Sequence, residues 1–311
     1  MQNIEAGFAA KPRIAVCLAA YNGVRHLRQQ LDSIWSQDRV CVTVFVSVDV
    51  SSDGTEQWLN EYGAINTQCV LLPMGERFGG AAQNFFRLLR EVDFSEFEYV
   101  AFADQDDIWL PAKLHRAVQR LKESGAQGYS SDVIAFWEDG RTRLVRKAYA
   151  QRKWDYLFES AGPGCTFVLQ KGLAAEVQAF LRNHIDATRS VGLHDWFCYA
   201  FARAGGYRWY IDAQANMLYR QHGANQVGVN VGWRAFLWRV GQVLNGWGLD
   251  QARLIGMLVM PEQDPFMAKW VGGGRAAVWN LLWHANACRR RPLDRVWFAI
   301  SCIALCVVGW K

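Results

Sequence analysis

An acidic cluster follows one of the short apolar segments in the sequence. Asp104-Gln105-Asp106-Asp107 comes directly after Tyr99–Ala103, which has the composition of a buried strand. Carboxylates one residue apart at a strand end can bind a divalent cation and a polar group together, and Mg²⁺ or Mn²⁺ prefers such oxygen ligands. The same acids could instead cap the helix that Leu110-Pro111 introduces. Three acids with a Trp behind them favour the metal site over the cap.

Two other predicted strands also end in polar residues. Tyr21-Asn22 follows Arg13–Ala20, and Asp49–Thr55 follows Val42–Val48. The carboxyl ends of parallel strands lie along one edge of a sheet, which is where ligands bind in such folds. We therefore expect both segments to meet the acidic cluster at this edge.

The second of these segments holds two carboxylates with different expected roles. Asp49 can accept a hydrogen bond from a ribose hydroxyl or a base imide, although an Asp after a strand is also a common turn residue. Asp53 lies in a Ser-Asp-Gly-Thr turn before the helix around Trp58, and we expect it to cap that helix.

Two polar segments later in the chain could complete a site. Asp195 follows His194 at the start of a predicted helix, where it could act as a general base or as a helix cap. The segment Tyr219–Asn225 places donors and acceptors around a glycine, and its His222 could bind a metal or a diphosphate. A single loop histidine is more often plain polar surface, so these residues alone leave both roles open.

Several well-known ligand motifs are missing from the sequence. It contains no GxGxxG after a strand, no GxxxxGKS/T and no GxSxG. The loop Phe78–Ala82 precedes a predicted helix, but its pattern is too weak to indicate a phosphate cradle. These absences argue against the dinucleotide-binding, P-loop and α/β-hydrolase classes.

Strand and helix patterns alternate through the first part of the chain. The predicted helices lie around Leu27–Trp35, Trp58, Asn84–Val92 and Leu114–Leu121. With a further strand at Cys69–Leu72, four successive strand–helix units predict an α/β domain whose mostly parallel sheet has helices on both faces. After residue 150 the pattern is less regular, with a strand predicted at Cys165–Gln170 and a helix within Gly192–Arg203.

The C-terminal part differs from the rest in composition. Residues 231–311 hold ten Lys and Arg, four Asp and Glu, and eight of the 15 Trp. Within them Val296–Trp310 is an apolar run of about 15 residues after Arg289-Arg290-Arg291, shorter than the ~20 needed to span a bilayer. Basic residues mixed with Trp suit an anionic membrane surface, and a packed helical subdomain is the alternative. Nucleic acid is disfavoured, because the basic excess lies outside the predicted sheet edge and contains no recognised motif.

Cysteine usage and the first residues bear on location. The eight cysteines include no CxxC pair and no zinc-like spacing. Four of them lie in apolar runs and are predicted to be small buried residues in a reducing compartment: Cys17, Cys41, Cys69 and Cys165. Residues 1–13 lack the apolar core of a secretory signal, so we expect a cytoplasmic protein.

Taken together, the polar segments resemble those of family 2 glycosyltransferases with the GT-A fold. The matching segments are LAAYNG (18–23), SVDVSSDGT (47–55), FADQDDIW (102–109) with Lys113, PGCTF (163–167), HDW (194–196) and YRQHGANQVG (219–228). They occur in family order and span about residues 13–228. Their combination is similar to the rhamnosyltransferase-like branch that serves bacterial surface polysaccharide synthesis.

The resemblance implies a role for each matching position. It assigns five residues to the nucleotide-sugar: Ala19, Tyr21, Asp49, Arg77 and Asp104. It assigns three residues to the acceptor and sugar side: Trp109, His194 and Trp196. It further implies that Asp106, together with His222, binds Mg²⁺ or Mn²⁺, and that Asp195 is the catalytic base.

The implied reaction is an inverting, metal-dependent transfer of one sugar from a nucleotide diphosphate to a glycan or glycolipid hydroxyl. The expected donor is dTDP-L-rhamnose, and the expected acceptor is lipopolysaccharide or another surface glycan. A UDP-hexose or UDP-N-acetylhexosamine donor is the alternative within the fold. A non-catalytic glycan-binding relative is another, although it would not need all of the acidic residues. The chain has no QxxRW motif and no long apolar span, which predicts single addition rather than processive synthesis.

Two regions are expected along the chain. Residues 1–228 would form the GT-A nucleotide-sugar-binding and catalytic domain. Residues 229–311 would form a Trp-rich, basic helical region. Through that region the enzyme would associate peripherally with the inner face of the cytoplasmic membrane.

Overall fold

The computed structural model describes residues 10–221, 246–261 and 263–310. The first elements are β1 Arg13–Ala20, α1 Val24–Trp35, β2 Cys41–Val48, α2 Thr55–Ile65, β3 Cys69–Leu71, α3 Ala81–Glu91, β4 Tyr99–Asp104, β5 Ile108–Trp109 and α4 Lys113–Ser124. The next are β6 Gly128–Ser131, β7 Val133–Phe136, β8 Thr142–Val145, β9 Val168–Gln170, α5 Lys171–Asn183, α6 Ile185–Thr188, α7 His194–Ala204, β10 Trp209–Asp212 and β11 Met217–Arg220. After residue 246 come α8 Trp247–Val259, α9 Pro265–Ala268, α10 Gly274–Trp283, α11 Ala285–Cys288 and α12 Pro292–Val308.

The central sheet has seven strands in the order β10-β6-β9-β4-β1-β2-β3. Neighbouring strands are parallel except at β9, which runs antiparallel to β4 and β6. After its first residue β1 is buried throughout, which explains why its sequence is a continuous apolar run rather than an alternating one. The predicted α/β class with a mostly parallel sheet is confirmed.

Helices cover both faces of this sheet. Ile14 and Val16 of β1 pack with α1 and α4, whereas Ala15 and Cys17 pack with α3, α5 and α7. Successive residues of a strand point to opposite faces, so β1 contributes to both halves of the core. The apolar spacing that predicted α1, α3 and α4 corresponds to their buried sides.

Two details of the sequence-based prediction were wrong. The strand predicted at Cys165–Gln170 begins only at Val168, because residues 164–166 form a 3₁₀ turn. Cys41, predicted to be buried, is exposed because it is the first residue of β2. Cys17, Cys69 and Cys165 are buried as predicted.

A second sheet, in the order β5-β11-β7-β8, lies next to the acidic cluster. β5 follows the cluster directly and pairs with β11, where Trp109 is opposite Met217. Arg220 at the end of β11 is thereby brought beside Asp107, from which it is separated by 113 positions in the sequence. The sequence patterns did not predict this sheet.

The C-terminal helices pack on the same hydrophobic core as α7. Leu249, Ile255 and Trp270 belong to the cluster that contains Phe158 and the buried side of α7. The boundary expected after residue 228 falls outside the described residues, and the division into two regions remains a prediction. Among the helices that the structure describes, none combines the length and apolar character needed to cross a membrane.

Candidate active site

The carboxyl ends of β1, β2 and β4 lie side by side, as their sequences predicted. Ala19 pairs with Ser47 of β2 on one side and with Asp104 of β4 on the other. The Gln105 side chain joins the loops after β1 and β4. It accepts a hydrogen bond from the Tyr21 N–H and donates one to the Tyr21 carbonyl, each at 2.7 Å. The three loops therefore form one continuous edge.

Polar side chains from the loop after β2 and from the first residue of α2 hold the start of α1. Thr55 Oγ1 accepts hydrogen bonds from the N–H groups of Gly23 and Val24, at 2.8 and 3.1 Å. Asp53 Oδ2 accepts a second bond from Val24, and its Oδ1 accepts from the N–H and hydroxyl of Thr55. Asp53 was expected to serve only the helix after it, but it also satisfies the first turn of α1.

Asp49 is buried at the end of β2, where its carboxylate holds the loop after β3. Its two oxygens accept hydrogen bonds from the N–H groups of Phe78 and Gly79, both at 3.0 Å. A carboxylate oxygen can accept a further hydrogen bond, so these contacts are compatible with ribose or base binding. Arg77 is exposed in the same loop, and Asp49 fixes the backbone next to it. Contacts of Asp49 and Arg77 with a nucleotide remain predictions.

Two carboxylates of the acidic cluster belong to this edge, and their charges interact. Burial, together with the charges of Asp106 and Asp195, raises the pKa of Asp104 to about 7. Like charges in a poorly solvated site disfavour each other's ionised form. A divalent cation would offset this repulsion, so Asp104 and Asp106 fit the oxygen ligands of a hard metal ion. The charge interaction between Asp104 and Asp195 shows that Asp195 lies near the acidic cluster.

The last acid of the cluster, Asp107, is fully buried and holds the backbone. Its Oδ1 accepts a hydrogen bond from the Arg220 N–H at 3.1 Å. The Arg220 guanidinium donates to the Asp106 carbonyl at 2.7 Å and to Gln29 Oε1 at 2.6 Å. Arg220 thus connects β11 and α1 to the acidic cluster.

Asp104, Asp107 and Cys165 are close enough to hold an ion, with ligand atoms within 4.8 Å of one another. However, burial and the two acids raise the pKa of the Cys165 thiol well above its usual value. The protonated thiol bonds to the carboxylates, and Mg²⁺ or Mn²⁺ prefers oxygen ligands to a sulfur ligand. We interpret this group as a hydrogen-bonded support next to the carboxylates of the acidic cluster.

Lys113 lies behind the same cluster. Its Nζ is 3.5 Å from the centre of the Trp109 ring and has no hydrogen-bond partner among the described residues. Burial lowers its pKa to about 7, while the charges of Asp107 and Asp104 act in the opposite direction. A cation in this position offsets part of the carboxylate charge and is itself stabilised by the ring.

Asp195 lies in the first turn of α7, as predicted. Burial raises its pKa to about 6, against the effects of hydrogen bonds from the Trp196 N–H and the Ser160 side chain and of the charge on Lys147. A carboxylate with this pKa is mostly ionised at neutral pH, and it is a stronger base than a solvated Asp. Such a carboxylate can take up a proton, and the role of Asp195 as the base remains a prediction.

The three residues assigned to the acceptor and sugar side have buried side chains. His194 stacks on Phe85 with ring centroids 3.9 Å apart, and burial lowers its pKa to about 3. The Trp196 indole donates to the Tyr156 carbonyl, and Trp109 covers Lys113. These side chains pack inside the protein next to the site. Contacts between them and a sugar remain predictions.

A buried ion pair supports the segment beside Asp195. Arg290 is 3.2 Å from fully buried Asp155, and its guanidinium also donates to the Ser160 carbonyl. Arg203 of α7 contacts the second Asp155 oxygen at 3.2 Å, and Tyr199 donates to the first at 3.0 Å. The C-terminal region is thereby tied to Ser160, which bonds to Asp195.

Sequence reasoning did not anticipate the roles of Gln105, Arg220, Ser160 and Arg290. Two of them lie inside the segments that carried the family resemblance, FADQDDIW and YRQHGANQVG. Their contacts join residues 84 and 113 positions apart, which no local spacing reveals. The other predicted metal ligand, His222, lies outside the described residues, and its role remains a prediction.

The model of glycosyl transferase family 2 matches residues 15–182, more than half of the chain. The chain belongs to glycosyl transferase family 2. The matched span of this family 2 chain includes the loops after β1, β2 and β4 and the turn around Cys165. It ends before Asp195 and the C-terminal helices.

The family 2 chain is also similar to a named enzyme over almost its full length. The dTDP-rhamnosyl transferase RfbG of Shigella flexneri is 39% identical over 287 residues, which cover 92% of this chain and 99% of that protein. A match of this length in a chain of 311 residues must extend past Asp195. The similarity therefore includes Asp195 and the helix that carries it.

Solved structures confirm the fold of the family 2 chain. Staphylococcus aureus TarS 1-349 superimposes with a TM-score of 0.54 at 14% identity, covering 95% of this chain and 81% of that one. The mannosyltransferase PcManGT from Pyrobaculum calidifontis, in complex with GDP-Man and Mn²⁺, gives 0.54 at 19% identity, covering 96% and 86%. At such identities the likeness establishes the GT-A fold alone.

Proposed function

We propose that this glycosyltransferase moves L-rhamnose from dTDP-L-rhamnose to a hydroxyl of lipopolysaccharide or another surface glycan, with inversion. The observation that carries the proposal is the meeting of Asp104, Asp106 and Asp195 at the carboxyl edge of the sheet. The 39% identity to a dTDP-rhamnosyl transferase over nearly its full length supports the choice of donor.

In this proposal, the donor binds along the loops after β1, β2 and β4. Tyr21, 56% exposed at this edge, stacks on the base, and Asp49 accepts from the base or ribose. Arg77 is exposed in the loop that Asp49 holds, from which it can reach the base. Asp104 accepts from a ribose or sugar hydroxyl, and the backbone at Ala19 completes the pocket.

Asp106 and Asp104 supply the oxygen ligands for Mg²⁺ or Mn²⁺ in the proposed reaction. A divalent ion bound there would neutralise the diphosphate as it leaves and hold it in position. The charge interactions of Asp104 with Asp106 and Asp195 support this assignment, because neighbouring carboxylates favour a bound cation.

Asp195 acts as the general base. It removes the proton of the acceptor hydroxyl as that oxygen attacks the anomeric carbon on the face opposite the diphosphate. One carbon–oxygen bond forms while the bond to the diphosphate breaks, so the anomeric centre inverts. Ser160 and Lys147 limit the rise in the pKa of Asp195, which keeps the base ionised at neutral pH.

We further propose that the enzyme works in the cytoplasm, at the inner face of the cytoplasmic membrane. A lipid-linked or lipopolysaccharide acceptor is anchored at that surface, and the basic, Trp-rich C-terminal composition suits it. No nucleic-acid partner is proposed.

A donor screen tests the proposed function. The purified chain is incubated with dTDP-L-rhamnose, a UDP-hexose, UDP-N-acetylglucosamine and GDP-mannose, and nucleotide release and thermal stability are measured with Mn²⁺ or EDTA. We expect release from dTDP-L-rhamnose and stabilisation by dTDP, both lost in EDTA and restored by Mn²⁺. Faster turnover of a UDP-sugar would show that the donor is a UDP-sugar and not dTDP-L-rhamnose. Full activity in EDTA would show that the reaction does not require a metal ion.

A further inference from the structure

Helix α12 is apolar on two opposite faces. Phe298, Cys302 and Leu305 face inward and pack in the core. The outer residues are 47% to 73% exposed, and all of them are apolar: Leu293, Val296, Trp297, Ile300, Ile303 and Val307. Residues 296–308 contain no charged side chain. A surface helix of a soluble protein usually carries polar residues on its outer face, so α12 does not have the pattern of a helix that faces water.

The neighbouring helix α10 packs along α12 and extends its outer surface. Trp279 and Trp283 are 53% and 74% exposed and contact each other edge to face. They follow Arg275 at four-residue spacing, so all three lie on one side of α10. Arg275 reaches the Val307 carbonyl of α12, which places this side of α10 next to the outer face of α12. We call the outer residues of α12, together with Trp279 and Trp283, the apolar face.

Exposed guanidinium groups lie at both ends of the apolar face. Arg291 precedes the first turn of α12 and forms only a loose surface pair with Asp294, at 3.9 Å. Arg275 is exposed at the opposite end. An apolar centre with indoles and cationic ends is complementary to the acyl chains and phosphates of an anionic bilayer. A second copy on the same face would instead place cationic ends against cationic ends.

Two arginines of the basic run before α12 are not part of this surface. Arg290 is buried against Asp155, and Arg289 donates to the Phe158 carbonyl at 2.7 Å. Their guanidinium groups bond to partners within the protein. Of the three arginines in this run, Arg291 is the one whose side chain is available to a membrane. The electrostatic attachment expected from the sequence is therefore weaker than the apolar one.

We propose that the apolar face inserts into the headgroup region of an anionic phospholipid bilayer, with α12 lying along the membrane plane. The helix has 17 residues, about 26 Å at ~1.5 Å per residue, which is short of the hydrocarbon thickness and suits an interfacial helix. The inference rests on the proposed function for its purpose, because a glycolipid acceptor lies at the same surface. Arg290 ties this region to Ser160, so insertion also fixes the height of Asp195 above the membrane.

Flotation of the full-length chain with vesicles tests the proposal. Vesicles of phosphatidylcholine with phosphatidylglycerol, and of phosphatidylcholine alone, are mixed with protein at low and high salt, without donor or acceptor. We expect the chain to float with the anionic vesicles and to remain largely bound at high salt. Ile300→Gln with Ile303→Gln should weaken partitioning about tenfold or more, because two half-exposed aliphatic side chains no longer enter the bilayer.

A matched control separates this face from exposed apolar residues in general. Ile65 of α2 is 81% exposed, and Ile65→Gln should leave flotation unchanged. Arg275→Gln with Arg291→Gln should reduce binding to anionic vesicles less than the paired isoleucine change does. Truncation is unsuitable as a test, because removal of residues from 290 onward also removes Arg290, one of the cations paired with Asp155.

Two results would overturn the proposal. One is full-length protein that does not float at low salt. The other is a dimer in solution that Ile300→Gln with Ile303→Gln dissociates, because then a second copy covers the face. Donor binding is measured separately by stabilisation with dTDP. Loss of flotation with donor binding intact would count against the membrane face alone, and the reverse would count against the proposed function alone.

Discussion

The proposed donor side and the proposed acceptor side of the site are held by different interactions. On the donor side, the loops after β1, β2 and β4 are joined by hydrogen bonds from short polar side chains such as Gln105, Asp53 and Thr55. On the acceptor side, the segment beside Asp195 is held by the buried pair of Asp155 and Arg290. Hydrogen bonds at the edge of a sheet orient loops, whereas a buried charge pair also affects whether the region folds.

This difference separates the effects that substitutions on the two sides should have. A change in the donor-side hydrogen bonds should weaken nucleotide binding while the protein stays folded. A change in the buried pair should lower stability. A change at Asp195 itself should lower turnover alone. Nucleotide affinity, stability and turnover can each be measured separately.

The largest effect is expected at the base. Asp195→Asn keeps the size of the side chain but removes its ability to take the acceptor proton, so kcat should fall by roughly 10²–10⁴. The affinity for dTDP, measured by calorimetry, should change little. Asp186→Asn is the control, because Asp186 is an exposed acid in α6. An Asp195→Asn variant within a few-fold of the parent would place the base elsewhere.

The next effect concerns stability on the acceptor side. Arg290→Met leaves Asp155 buried with Arg203 as its remaining cation, so the free energy of unfolding should fall by about 3–5 kcal/mol. Arg291→Met removes only an exposed surface pair, and its effect should stay within about 0.5 kcal/mol. Urea unfolding of both variants measures the difference. Equal effects would mean that the buried pair does not hold this region.

A smaller effect is expected on the donor side. Gln105→Ala removes both hydrogen bonds to Tyr21, so the loop that carries Tyr21 must become ordered when dTDP binds, and we expect dTDP to bind about tenfold more weakly. The two bonds contribute about 1 kcal/mol each to folding, so the variant should lose about 2 kcal/mol of stability and stay folded without ligand. Gln119→Ala is the control, since Gln119 bonds only to Glu123 on the exposed side of α4. Unchanged dTDP affinity would show that the loop keeps its shape without Gln105.

The smallest effect near neutral pH concerns the ionisation of the base. The pKa of Asp195 is raised to about 6, and only the ionised form accepts a proton. The rate at saturating donor and metal should be constant above about pH 7, reach half near pH 6, and fall about tenfold per unit below pH 5. A rate independent of pH between 5 and 8 would contradict this role for Asp195.

The donor side could be predicted from the sequence because its signals are local. The apolar runs Arg13–Ala20 and Tyr99–Ala103 define strands, the polar residues come directly after them, and parallel strands must end at one edge. The acceptor side could not be predicted in this way. Asp155 and Arg290 are 135 positions apart, and a basic run before an apolar helix has the composition of a membrane-binding segment even when one arginine is buried.

Very short strands also limit what can be predicted from sequence patterns. The second sheet pairs two-residue β5 with four-residue β11, and neither is long enough for an alternating pattern to be recognised. Arg220 was therefore interpreted as part of a polar loop segment, whereas the structure makes it the support of the acidic cluster. Such contacts depend on tertiary pairing that local spacing does not encode.

The stereochemistry of the product tests the central claim most directly. If Asp195 activates the acceptor for a single displacement opposite the diphosphate, dTDP-β-L-rhamnose must give an α-L-rhamnoside. NMR of the isolated product, through the one-bond carbon–proton coupling at the anomeric position, distinguishes the two configurations. We expect the α product only. A β-L-rhamnoside would require two displacements and a protein nucleophile, which would contradict the role assigned to Asp195.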